Sequence, residues 1–228
     1  MSFEAVLAPE APSPTLARAT YDRLRADVLS GLWEPGRKLP IHELRARYQV
    51  GASPLREALN RLASEEWVVH NDQRGFSVAQ VSAAQLADLV ATRISIESLA
   101  LTQSLAQRSP PWEERLVLAF HRLSRTARST GADCFRENPE WERLHREFHF
   151  ALLAGCGSPL LLMFCGQLYD QAYRYRQLAA RKAHRRRNEL DEHRALFEAA
   201  IGGRLQETLE HMAAHYRRTA GFVEGEPA

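Results

Sequence analysis

The sequence predicts a mainly α protein: an N-terminal winged helix-turn-helix with a small β-hairpin, followed by an all-α antiparallel helical bundle. Three observations carry this expectation. Two short helical patterns flank a tight turn at Val50-Gly51-Ala52, two β-prone triplets follow them around a glycine-containing turn, and beyond Val81 the strand signals vanish. At 228 residues the chain is long enough for two modules, each burying its own core.

Residues 1–14 hold three prolines and little periodicity, which predicts a flexible arm. A winged module is expected over 15–81. Ala17, Tyr21, Leu24 and Val28 recur at helical spacing and Gly31 stops that helix; Trp33-Glu34-Pro35-Gly36 turns the chain; Ile41, Leu44 and Tyr48 give a short second helix. Ser53 as N-cap and Pro54 at the first helical position are expected to start a third helix, which carries Leu55, Leu59 and Leu62 inward. Trp67-Val68-Val69 and Phe76-Ser77-Val78 flank Asn71-Asp72-Gln73-Arg74-Gly75 as a hairpin.

A helical module is expected over 82–224. Ser82-Ala83-Ala84-Gln85 has capping-box spacing and opens a long helix that ends by Pro110-Pro111. Further helices are expected from about Trp112, from about Pro139 to Ala154, from Pro159, from about Glu189 to Ile201, and from Leu205 to Tyr216, about six in all. The basic stretch near 181–187 reads as a break, and the seven basic residues between Arg174 and Arg187, with no acid among them, read as a solvated face.

Composition narrows the function. Thirty basic against 28 acidic residues leave a net charge of +2, too little for bulk charge to announce a nucleic-acid partner. The longest apolar stretch, Ala151 to Gly166, is broken by Gly155, Gly157, Ser158 and Pro159, and no basic-then-apolar leader opens the chain. A cytoplasmic protein with no membrane partner is therefore expected. Cys134, Cys156 and Cys165 have no Cys-x-x-Cys spacing, which argues against a disulfide framework and a thiolate metal site.

A helix-turn-helix leads with the start of its second helix into the major groove of double-stranded DNA. Ser53 and Arg56 occupy that start; Arg45 on the preceding helix, and Arg74 and Gly75 at the hairpin, flank the same surface. Each isolated arginine reads equally as a solvated charge, but their clustering on this layout points to DNA. Tyr21 to Val81 resembles the DNA-binding domain of GntR-type bacterial transcription regulators. The resemblance lies in Leu29-Ser30-Gly31, Pro35-Gly36-x-x-Leu39, Ser53-Pro54-Leu55-Arg56-Glu57-Ala58-Leu59 followed by Leu62, and the wing Arg74-Gly75-Phe76-Ser77-Val78. The family usually has Ser-Arg-Thr-Pro where this chain has Gly51-Ala52-Ser53-Pro54, so its usual operator sequence does not carry over. The missing arginine contact is worth about 1 to 3 kcal/mol of base discrimination unless another side chain replaces it. Two half-sites on DNA imply a homodimer.

In the helical module, His145 and His149 lie four apart on one helix face, with Cβ atoms about 6 Å apart. His193 and His215 sit on the last two helices, so three helices can direct four imidazoles to one interior spot, a set suited to a divalent transition metal. The alternative from spacing alone is a surface His193 beside Glu192, with half-exposed His145 and His149. The segments Leu144-His145-Arg146-Glu147-Phe148-His149, Glu192-His193-Arg194-Ala195-Leu196 and Met212 to His215 resemble the FCD ligand-binding domain of the FadR branch. In metal-containing members an aspartate and three histidines hold an ion beside a small carboxylate effector. His149, His193 and His215 match the histidines, His145 stands in the aspartate's place, and Ser158 replaces the usual asparagine after the glycine turn. The resemblance implies zinc or nickel, a small carboxylic acid as effector, and a repressor.

Arg93 matches an arginine that the family turns toward the cavity as counter-charge for the effector; spacing allows equally a salt bridge to Glu97. A metal-free organic-acid pocket lined by the same histidines is the second reading. A metal-dependent enzyme is the third and weakest. In His145-Arg146-Glu147-Phe148-His149 the acid stands two residues after the first histidine, about 180° away from the middle of the histidine face, where it cannot activate a bound water.

Overall fold

The structure, a computed structural model, describes residues 15–29, 31–71, 75–80, 82–184 and 186–224. The expected arm at 1–14 and the wing residue Arg74 lie outside the described residues. The chain divides into two units, Met1–Gln80 and Val81–Ala228.

The first unit is built from α1 (Leu16–Leu29), β1 (Lys38–Leu39), α2 (Ile41–Tyr48), α3 (Ala52–Ser64), β2 (Val68–Asn71) and β3 (Gly75–Val78). α1 buries Ala17, Thr20, Tyr21 and Leu24, an i, i+3, i+4, i+7 stripe that packs on α3 through Leu55, Leu59 and Leu62. Gln49 closes α2 in the left-handed region at φ 54°, and its N–H donates to the Arg45 carbonyl; this non-glycine turn lets α3 start three residues later. The three strands are antiparallel in the order β1-β3-β2, with Lys38 opposite Ser77 and Leu39 opposite Phe76. β1 was not expected: two residues offer no alternation to read. Trp33 anchors the turn before it by donating from Nε1 to the Tyr48 hydroxyl at 2.8 Å, and that hydroxyl donates to Asp27 at 2.7 Å.

Ser53 does not cap α3. Gly51 takes the N-cap position with extended backbone, φ −68° and ψ 168°, no side chain caps the helix, and Pro54 falls at the third helical position. The first four N–H groups of a helix have no internal partner, so a proline is as free there as at the first position.

The second unit contains α4 (Ala83–Ala106), α5 (Pro110–Ser124), α6 (Pro139–Leu153), a single 3-10 turn at Ala154–Cys156, α7 (Pro159–Gln171), α8 (Tyr173–Ala183), α9 (Glu189–Ile201) and α10 (Leu205–Glu224). Ser82 caps α4 as expected, its hydroxyl accepting from the Gln85 N–H at 3.3 Å. α4 packs on α7 and α10, α5 on α6 and α9, and α10 on α8 and α9. The 3-10 turn lies hard against α4: Gly155 donates to Ser104 Oγ at 3.0 Å, and a Cβ there would meet that oxygen at 2.8 Å, so only glycine fits.

Seven α-helices stand where about six were expected, and two differences matter. α10 runs on past Tyr216 to Glu224 and buries Phe222 and Val223 against Leu86 and Tyr175. The basic stretch read as a solvated face belongs largely to α8 and divides: Arg181, Lys182 and Arg186 are exposed, whereas Arg174 and Arg176 are buried and the Arg187 side chain is 3% exposed. Charge alone suggested solvent; acids supplied by distant helices make burial possible.

Candidate DNA interface and candidate metal centre

In the first unit most surface cations are already engaged. Arg18 pairs with Asp22, Arg37 with Glu43, Arg47 with Asp27 and Arg61 with Glu65. Arg45 and Arg56 are exposed and show no ion pair or side-chain hydrogen bond among the described residues. Ser53 is exposed three residues before Arg56, on one face of α3. The uncapped start of α3 leaves backbone N–H groups turned outward, a natural seat for a phosphate. Gly75, at φ +78° with open space around its α-carbon, joins Lys38, His42 and Arg45 around a groove of about 430 Å³ between α2 and the wing. Lys38 was missed from the sequence because it sits on the unforeseen β1.

In the second unit α6 presents Trp141, Leu144, His145, Phe148, His149 and Leu152 on its inner stripe; α9 adds His193 and Leu196, and α10 adds Met212, His215 and Tyr216. The same spacing that buries the aliphatic residues therefore buries all four histidines, each 5% exposed or less. The surface reading of His193 and the half-exposed reading of His145 and His149 are thereby corrected. One nitrogen from each ring lies within 4.8 Å of the others. His145 Nε2 and His149 Nε2 approach to 3.0 Å, and His193 Nε2 is buried with no hydrogen-bond partner.

The outer nitrogens are held. The Tyr169 hydroxyl is 2.7 Å from His145 Nδ1, and the Tyr216 hydroxyl is 3.4 Å from His149 Nδ1. His215 Nδ1 donates to Glu192 at 2.8 Å. An ionised carboxylate only accepts, so His215 carries its proton on Nδ1 and keeps a lone pair on Nε2, the state a metal ligand needs. Burial, then neighbouring histidines and arginines, pushes His145, His149 and His193 well below the ordinary histidine range. His215 is also lowered by burial, with Glu192 opposing. Burial by itself would raise the Glu192 carboxyl, but donation from Arg187 and His215 holds it far below the usual carboxylate range. Four neutral imidazoles, one orphaned nitrogen and a fixed tautomer make a donor set that fits a divalent transition metal.

Around this quartet runs a chain of alternating charges. Arg176 is 3.7 Å from Glu142, Glu142 3.8 Å from Arg128, Arg128 2.7 Å from Glu189, Glu189 3.4 Å from Arg187, and Arg187 2.6 Å from Glu192. Arg93 is buried, donates from Nε to Glu97 at 2.7 Å and lies 4.0 Å over the Tyr216 ring. Tyr216 donates to the other Glu97 oxygen at 2.5 Å. Arg93 thus makes the salt bridge to Glu97 that spacing allowed, and it also lines a cavity of about 20 Å³ with Arg176, His215 and Tyr216. A wider cavity of about 390 Å³ approaches His193 between Arg128, Trp141 and Arg187. Tyr169, Glu192, Arg187 and Arg176 were not foreseen; only the adjacency of Glu192 to His193 was visible in the sequence.

Residues 16–78 match the family model for bacterial regulatory proteins of the gntR family, and residues 88–218 match the FCD domain. The chain is 37% identical over 209 residues to the HTH-type transcriptional regulator BphR of Paraburkholderia xenovorans, covering 92% of this chain and 85% of BphR. It is 31% identical over 199 residues to the HTH-type transcriptional repressor GlaR of Escherichia coli, covering 86% and 90%. Among solved structures, a GntR regulator from Rhodococcus sp. RHA1 shares the fold at TM-score 0.64 and 18% identity, covering 94% of this chain and all of that one. Escherichia coli McbR/YncC does so at 0.61 and 18%, covering 93% and 99%. The family and these relatives are transcription regulators, not enzymes, and among the described residues no helix is long and apolar enough to cross a membrane. With a GntR domain at one end and an FCD domain over more than half its length, the chain belongs to the GntR family of DNA-binding transcription regulators, in its FCD-containing branch.

Proposed function

We propose that this regulator is a cytoplasmic, homodimeric repressor that releases DNA when a small carboxylic acid binds its helical unit beside a divalent transition metal, zinc or nickel. Residues 15–81 form the DNA-binding part and 82–224 the effector-binding part. Arg45, Ser53, Arg56, Arg74 and Gly75 face the operator. Repression is the mode named for the relative GlaR.

The observation that carries the metal reading is the buried histidine quartet, with His193 Nε2 orphaned among three rings whose outer nitrogens are engaged. His145, His149, His193 and His215 would hold the ion, which supplies a positive centre for an effector carboxylate. Arg93 contributes a second positive group at the inner cavity, Glu192 fixes His215, and the Tyr169 and Tyr216 hydroxyls orient His145 and His149. His145 in place of an aspartate leaves all the ligands neutral, which favours an anionic effector. The inner cavity is too small for an organic acid as it stands, so the acid enters by displacing the helices around it. Such displacement gives the ligand two states to distinguish.

Protein purified without a histidine tag should carry close to one metal ion per chain, and His149→Ala should lose it. In a gel-shift assay on the duplex upstream of its own gene, one of a panel of small carboxylic acids should release the metal-loaded wild type but not His149→Ala. A metal-free wild type that still responds to the acid would establish the metal-free pocket instead, and failure to bind duplex DNA at low salt would overturn the whole reading.

A further inference from the structure

Among the described residues of the second unit, Arg176 is the buried cation that leaves two guanidinium nitrogens without a hydrogen-bond partner. The residue is 5% exposed, and its Nη1 donates to the Tyr169 carbonyl at 2.7 Å, with the guanidinium 3.9 Å from the centre of the Tyr169 ring. Its Nε and Nη2 have no hydrogen-bond partner among the described residues. Those two nitrogens form one edge of the guanidinium plane, with parallel N–H groups at the spacing of the two oxygens of a carboxylate. The nearest acid, Glu142, lies with Oε2 3.7 Å from Nη2, beyond hydrogen-bonding range; that oxygen also has no hydrogen-bond partner, while Oε1 accepts from Gln177 at 2.6 Å. Arg176 ends the alternating chain of charges, so no further acid follows it.

The other arginines near the histidines differ. Arg93 spends Nε on Glu97, and Arg187 grips Glu192 through Nε at 2.8 Å and Nη2 at 2.6 Å. Arg128 leaves only Nε buried without a hydrogen bond, and that nitrogen lies 2.7 Å from a Glu189 oxygen. Buried polar groups are almost always satisfied, and two orphaned N–H groups on one buried cation call for a ligand. The edge belongs to a residue that lines the inner cavity with Arg93, His215 and Tyr216.

We propose that Arg176 is an effector-binding residue: its Nε and Nη2 edge takes a carboxylate of the effector in bidentate fashion, while Arg93 serves chiefly as the partner of Glu97. This rests on the reading of the second unit as a carboxylic-acid sensor and adds the residue that would select a planar two-oxygen anion.

The test uses full-length, metal-loaded protein and three probes, acetate, succinate and citrate, titrated calorimetrically at up to millimolar concentrations. The ligand-induced rise in melting temperature is read in parallel, so that a variant with altered intrinsic stability remains interpretable. Arg176→Gln removes fork and charge; Arg176→Lys keeps charge and stem and loses only the fork; Arg122→Gln on the exposed face of α5 is the control. Wild type and Arg122→Gln should bind at least one probe equally well, and both Arg176 variants should bind it about tenfold or more weakly, the scale of a charge-assisted bidentate contact. Wild-type affinity in a folded Arg176→Lys overturns the assignment and leaves the effector reading standing. If wild type binds none of the three while retaining its metal, both fall.

Discussion

The two units place their functional charge in opposite ways. In the first, Arg45 and Arg56 stand exposed and unpaired on a surface whose other cations are mostly paired, over a core of aliphatic and aromatic side chains. In the second, the groups of interest lie in the interior: four histidines and Arg93, Arg176 and Arg187, with partners for most of their polar atoms but no hydrogen bond to His193 Nε2 or to Arg176 Nε and Nη2. A group that acts on a large external polyanion can wait in solvent at little cost to folding. A group that must hold an ion or a small acid has to be preorganised in a dry interior, and there function and stability become the same contacts.

That contrast can be broken by measurement. Glu192→Ala strips its partner from the buried Arg187 guanidinium and should cost about 3 to 5 kcal/mol of stability. Urea denaturation would show it, and no loss would mean that the charge chain is not structural. Leu59→Ala, on the buried face of α3, should cost about 2 to 5 kcal/mol. Arg56→Ala, at an exposed position of the same helix, should leave stability in urea within about 0.5 kcal/mol while weakening operator binding by about 1 to 3 kcal/mol, with relaxed preference at one base pair. A destabilised Arg56→Ala would erase the distinction between the units. Smallest of all, Arg45→Ala should weaken binding uniformly across sequences and lower the salt dependence by about one ion, read from affinities at several salt concentrations.

How far the sequence disclosed all this follows the same division. The winged unit was legible because its signals are local: the spacing of Tyr21 and Leu24, the glycine in the Val50-Gly51-Ala52 turn, and the β-prone triplets. What failed there was equally local, a two-residue shift that made Gly51 and not Ser53 the cap of α3, and a strand of two residues too short to show a period. In the helical unit the four histidines could be picked out, because each lies on the same stripe as aliphatic neighbours. Arg176 and Tyr169 could not, since the acid or ring that makes them interior reaches them from tens of residues away, and Arg187 could not because its nearby acids Glu189 and Glu192 meet it only across the turn into α9. A run of arginines without acids reads as surface until the fold supplies Glu142, Glu189 and Glu192.

The strand of two residues has one more effect. β3 is the middle strand, held on one side by β2 and on the other by β1, and Gly36 and Arg37 extend that second seam by exchanging backbone hydrogen bonds with Val78 at 2.9 and 2.8 Å. α2 begins only two residues after Leu39. The wing is therefore stitched directly to the chain that enters the helix-turn-helix, and the distance between the two is set by a few backbone bonds and not by a flexible tether. Were both wing and α3 to meet the duplex as proposed, such a unit would act as a fixed-gauge calliper, and a site lengthened by a base pair between the two contacts should bind more weakly.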